Sequence, residues 1–395
     1  MDINENKNAP AAKRPRQSNP VLRLLALLVT AALILGAAVL VLYRDTVNVD
    51  AFKRWLAFRS MATGESGESD PFTHAGGNKL SVAYLDSGIV TASAAGAHYY
   101  ALDGEQLAEE VLPLENPVLT VSGATAVVYD AGNQSLFAFR GGEEYFRLKL
   151  EGNADLLSAR PNESGWLAVT AQQSGYKGAV TVYDRKGAEV IQISLSSVFV
   201  VDAAVSPDGQ TVAVVTIGQE GGSFFSRLLL YRVDREEPFA QVELGSLTVL
   251  DMDYDDGVIW MLGEDRLLTV SLLPEGQTVQ TYFISPNYLK GCSFGGDGFA
   301  LLLLGRHRSG GAAQALRIDS SAQVTQSIPL SGQVLDYAAA GDFCALLSGN
   351  QLSIYNAERE LSAAVENARS ARKVALAADG SAVLANAQQA WLYIP

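Results

Sequence analysis

The chain has 395 residues, a formal charge of −14 and two cysteines, Cys292 and Cys344. Residues 1–60 hold nine Lys/Arg against four Asp/Glu, which leaves the remainder with 20 against 39, a net of −19. So acidic a body excludes nucleic acid as a partner, because phosphate contacts need a basic face. Two cysteines exclude a disulfide framework; both lie in apolar runs and read as buried small hydrophobes.

Residues 1–20 are polar, contain Lys7, Lys13, Arg14 and Arg16, and read as a disordered tail. An uncharged apolar run of 20 residues follows at 24–43. As a helix it is ~30 Å long, the thickness of a bilayer core, so 21–43 is expected to cross the membrane once. The run is too long for a cleaved signal peptide and lacks a small-residue cleavage site, which favours an uncleaved anchor. Lys13, Arg14, Arg16 and Arg23 crowd its leading side, while Arg44, Lys53, Arg54 and Arg59 are spread more thinly behind it. The positive-inside rule then puts the tail in the cytoplasm and the acidic body outside the plasma membrane. Residues 44–59 read as a short amphipathic helix, with Phe52, Lys53, Arg54 and Trp55 suited to the membrane interface. A stalk helix packed against the body is the alternative. A flexible acidic linker spans 60–71.

From residue 72 to the end the sequence repeats. Four short apolar runs, each bounded by turn residues, make a unit, and no stretch holds a helical period. The third runs are anchored at Tyr100, Ala138, Tyr183, Tyr231, Val270, Leu316, Tyr355 and Trp391. Their mean spacing of about 42 residues is that of a four-stranded propeller blade. Asp208-Gly209, Asp256-Gly257, Asp297-Gly298 and Asp379-Gly380 supply the positive φ that tight hairpins need. The fold class is therefore all-β, a propeller of eight blades, with seven as the alternative. The last unit has room for only three strands, so Phe72-Thr73-His74 is expected to complete it and hide a sheet edge.

Ser206-Pro207-Asp208-Gly209 followed by Val-Ala-Val-Val is similar to blades of WD40-like, YVTN-like and TolB-like propellers. The basic tail, the single membrane helix and the Asn48-x-Asp50-x-x-Lys53-Arg54-Trp55 segment together resemble a family of bacterial membrane-anchored propellers of unknown function. That resemblance implies the fold and the anchor and brings no activity with it.

Signatures of catalysis are missing. The four tryptophans do not follow quinoprotein motifs. Asp251-x-Asp253-x-Asp255 lacks the glycine and glutamate of a calcium loop, and Asp251 shares a repeat position with Asp202 and Asp336. His74, His98 and His307 have no metal-ligand spacing. No cofactor is expected. The remaining feature is three long connections between second and third runs, at 172–178, 218–227 and 305–313. They carry Tyr176, Lys177, Phe224, Phe225, Arg227, Arg306, His307 and Arg308, and Arg369 and Arg372 belong to the same face. Aromatics and arginine are the residues of binding hot spots. The expected function is a non-enzymatic binding or scaffold module for a protein or envelope-polymer partner. The rival is an enzyme or small-ligand receptor working in the central channel, with Asp202, Asp251 and Asp336 at its mouth.

Overall fold

The computed structural model describes residues 27, 29, 30, 54, 58, 61, 63, 64 and 66–395, without 86, 87, 153, 274, 275 and 359. The chain divides into two compact units, Met1–Lys53 and Arg54–Pro395. In the first, Leu27, Val29 and Thr30 are helical. The expected tail and most of the expected anchor lie outside the described residues, as do Phe52, Lys53 and Trp55. Among the described residues no helix is long and apolar enough to cross a membrane.

The second unit is built of eight four-stranded antiparallel sheets. Blades 1 to 7 occupy residues 81–110, 117–149, 156–195, 199–245, 249–283, 288–329 and 334–365, each running inner, second, third and outer strand in chain order. Second strands such as Ala-Val-Val-Tyr at 126–129 and Ala-Leu-Leu-Leu-Leu at 300–304 are buried on both faces. This is why they are continuous apolar runs while outer strands alternate. The tight turns follow the sequence: Asp256 and Gly257 take φ of 45° and 75° and close a two-residue hairpin between Asp255 and Val258.

No single core fills the molecule. Among the described residues there are eight apolar clusters, each shared by two adjacent blades. Val215 and Leu230 of blade 4, for example, pack with Met252 and Met261 of blade 5. The eighth cluster joins Val383 and Leu392 of blade 8 to Ile89 and Tyr100 of blade 1, with Phe58 buried among them. The ring is closed.

Closure uses the segment ahead of blade 1, as the sequence suggests. Blade 8 supplies three strands, Lys373–Leu376, Ala382–Ala385 and Gln389–Tyr393, and Phe72–Thr73 is its outer strand. Phe72 pairs with Ala390 and Thr73 with Gln389. The contact extends further back than the sequence shows. Ser69 N donates to Leu392 O at 2.9 Å, and Leu392 N donates to Ser69 Oγ at 2.9 Å. Glu68 is buried, accepts the Trp391 indole Nε1–H at 2.9 Å and lies 3.5 Å from Arg369 Nε. Arg54 is also buried and donates to the main-chain oxygen of Asp379. Arg54 and Phe58 are thus both buried against the propeller.

One connection differs in kind from its expected form. The 218–227 stretch is not a loop: the second and third strands of blade 4 run on to Glu220 and from Ser223, paired throughout. Gly221 and Gly222, at φ of 59° and 83°, make the turn, and the two-residue Gly-Gly turn is what lets the ladder continue to its tip. Deleting residues 71–76 should lower the melting temperature by about 5–10 °C through loss of the closing pairs, measured by circular dichroism; an unchanged value would show that the ring closes without them.

Candidate functional site

Antiparallel order fixes which connections share a face. Inner strands start, outer strands end, and second-to-third turns lie at one rim; the Asp-Gly turns lie at the other. Every residue the sequence singles out for partner binding belongs to the first rim.

The structure gives those residues different surroundings. Tyr176 and Phe224 are 48% and 65% exposed. Lys177 Nζ donates to Ser197 O at 2.9 Å and sits 5.0 Å from the Phe199 ring, which links the blade 3 turn to blade 4. Arg227 is pinned by Glu243 at 2.7 Å and lies 4.1 Å over the half-buried Phe225. Arg306, His307 and Arg308 are exposed on blade 6. Arg369 is engaged in closure, reaching Glu68, Ser69 O and the Trp391 ring. Arg372 is exposed beside it.

More apolar surface lies on this rim than the sequence indicates. Leu157, Phe199 and Leu250 at the starts of inner strands, Phe283 at the end of an outer strand and Tyr288 beside it are 36%, 55%, 57%, 61% and 43% exposed. With Tyr176 and Phe224 they cover blades 3 to 6; on the same rim Val111 and Leu112, just past the outer strand of blade 1, are also exposed. Among the described residues, blades 7 and 8 expose no large apolar side chain there. Large apolar side chains left in water at consecutive positions mark interaction surface. The positions escape a sequence reading because strand ends and bulged residues obey no alternation rule: the pairing slips at Leu157 and Leu250, and Phe199 and Phe283 are strand ends.

The second feature is the channel, a cavity of about 630 Å³ lined by the inner strands of seven blades. Its upper lining depends on a repeated β-bulge. Pairing of inner and second strands slips by one residue at 157, 201, 250, 290 and 335, in blades 3 to 7. A bulge of this kind re-aims the residue that follows it, and in blades 4, 5 and 7 that residue is Asp202, Asp251 or Asp336. Arg160, on the blade 3 inner strand, binds two of them. Its Nε and Nη2 donate to Asp202 Oδ2 at 2.8 and 2.6 Å, and Nη2 donates to Asp251 Oδ1 at 2.5 Å. Asp336 faces Lys373 at 3.9 Å and accepts Val374 N.

Deeper in the channel the carboxyl groups lack such partners. Asp251, Asp253 and Asp255 alternate along one extended strand whose intervening Met252 and Tyr254 enter the core, so the Asp-x-Asp-x-Asp pattern is a channel wall and not a calcium loop. Burial, opposed by Arg160 and reinforced by Asp255, pushes the Asp253 carboxyl up to about 7. Burial and the Glu163 carboxylate bring Asp255 to about 6. Among the described residues no group of His, Cys, Asp and Glu is arranged to hold a metal. Cys344 is fully buried and Cys292 half-buried, and both are free. Burial raises both thiols, Cys344 to about 11, so neither is a ready nucleophile.

Residues 67–383 match the model of DUF5711, a family of unknown function. The chain belongs to that family. No curated protein matches it in sequence. In fold it is similar to the computationally designed Ika8 protein, at 11% identity and a TM-score of 0.57, over 82% of this chain and 98% of that one. It is also similar to the Cps50 (Swd1) β-propeller domain of Myceliophteria thermophila, at 9% identity and a TM-score of 0.51, over 72% and 99% of the two chains. Apo AztD from Citrobacter koseri matches at 10% identity and a TM-score of 0.50, over 69% and 78%. At these identities the likeness is one of fold alone, and folds do not specify function.

Two outcomes are expected for the channel. Arg160→Met leaves buried Asp202 without its counter-charge and should cost about 3 kcal/mol in urea unfolding, with Arg160→Lys recovering part of it. The folded protein keeps the Asp253 proton at pH values where the unfolded chain has lost it, so this group makes stability fall as pH rises from about 4 to about 7. Asp253→Asn should flatten that slope and raise the melting temperature at pH 8.

Proposed function

We propose that this chain is a non-enzymatic, membrane-anchored binding module whose propeller stands outside the cell membrane and holds a protein partner on the rim of blades 3 to 6. One observation carries the reading: seven large apolar side chains, from Leu157 to Tyr288, are exposed on that rim in consecutive blades. Basic groups accompany them in an otherwise acidic chain. Exposed aromatics beside arginine, on connections held by a rigid ring, are the composition of a protein-binding surface. The anchor rests on the apolar run at 24–43 and on the charge asymmetry around it.

A second reading has support of its own. The channel lining mixes ionisable groups such as Arg160, Asp251, Asp253 and Lys373 with alanine and valine, and the cavity is large enough for a small ligand. One experiment separates the two. Full-length chain is crosslinked in cells and its partners are identified for wild type, Tyr176→Ser/Phe224→Ser and Arg160→Lys. The rim reading expects the partner set to be lost in the rim variant and kept in the channel variant. The reverse pattern would move the function to the channel.

A further inference from the structure

Within the exposed sector, blades 5 and 6 enclose a groove of about 570 Å³. Its floor is the connections at 246–248 and 285–289, and its banks are the 264–266 turn of blade 5 and Arg308 of blade 6. The banks differ in charge. On blade 5, Arg266 is held by Asp265 at 2.7 Å and lies 5.4 Å over the Phe283 ring, while Glu264 is exposed. On blade 6, Arg306, His307 and Arg308 are consecutive and exposed. Among the described residues, neither arginine has a carboxylate within ion-pair distance. Lys290 Nζ donates to Arg308 O at 2.8 Å, which steadies the turn and adds a third cation to that bank. Tyr288, 43% exposed, lines the groove itself.

We propose that this groove takes an extended polypeptide segment in which one acidic side chain stands next to an aromatic or aliphatic one. The carboxylate is received by Arg308 and Arg306, and the apolar neighbour lies against Tyr288 and Phe283. The inference rests on the rim reading and narrows it to one groove and one chemistry. Charge complementarity selects the acidic residue: guanidinium groups bind carboxylates by paired N–H donors, and the body outside this bank is strongly acidic and repels anions. The exposed rings select an apolar neighbour, which a bare inorganic anion does not offer. Glu264 across the groove repels a second negative charge, so a polyanion fits less well than a segment with a single carboxylate.

The test is fluorescence anisotropy with full-length chain in detergent and the labelled peptide Gly-Ser-Glu-Phe-Gly-Ser. Replacing its Glu by Lys, or its Phe by Ala, is expected to weaken binding at least about tenfold. Arg306→Glu/Arg308→Glu should weaken it to the same extent, Glu264→Gln should tighten it, and Leu361→Ser, exposed on the opposite face of blade 7, should leave it unchanged. Equal binding of the Glu and Lys peptides, full competition by inorganic phosphate, or no binding at about 1 mM peptide would each overturn the proposal. Crosslinked partners that are lost with Phe224→Ser yet retained with Arg306→Glu/Arg308→Glu would overturn the groove and leave the rim reading standing.

Discussion

A propeller has no centre to collapse around, so everything depends on the ring being complete. Each blade buries one face against the blade before it and the other against the blade after it, in eight separate apolar clusters. Were blade 8 left with three strands, the edge at Gln389–Tyr393 would stand open with the fully buried Trp391 next to it. The segment at 67–73 removes that edge. Its Glu68 is a buried carboxylate, a costly group unless hydrogen-bonded, and here the Trp391 indole and Arg369 satisfy it. Arg369 thus serves closure at its own end of the rim, while most of the rim's exposed apolar side chains lie on blades 3 to 6.

Closure also sorts charge between the two faces. The hairpins joining inner to second strands require residues at ease with positive φ, and Asp-Gly meets that need at 208, 256, 297 and 379. Turn chemistry therefore acidifies one face as a by-product of folding. The opposite rim is built from blade-to-blade connections and second-to-third turns, which vary freely between units. Phe199, Phe224, Arg306 and Arg308 are found there. The rim carries what the repeat does not prescribe, which is why its side chains hold information about a partner.

Much of the fold could be read from the chain, because strand period and turn residues act locally. Tyr100, Tyr183, Tyr231 and Trp391 mark third strands correctly, and the eighth blade's missing strand follows from counting. Less of the site could be read. The 218–227 stretch looks loosened because Gly218, Gly221 and Gly222 dilute its apolar pattern, yet those glycines are what permits a paired hairpin. Arg160 has no distinguishing neighbour in sequence; it matters because a bulge in each of two following blades turns Asp202 and Asp251 toward it. Leu157, Leu250 and Phe283 look like ordinary strand residues, and only strand ends in three dimensions show that nothing covers them. Long-range placement decides these cases, and it leaves no periodic trace.

The clasp also has a mechanical side. Residues 67–73 form the outer edge of blade 8, and Arg54 and Phe58 ahead of them are already buried against the propeller. Tension arriving from the amino terminus is delivered first to Arg54 and Phe58, which are buried against blades 8 and 1, and then to the Ser69–Leu392 and Phe72–Ala390 pairs. Those pairs tie the two ends of the body to each other, so force entering at the amino terminus passes directly to the carboxy-terminal strand. The ring is held at the same point from which it is pulled.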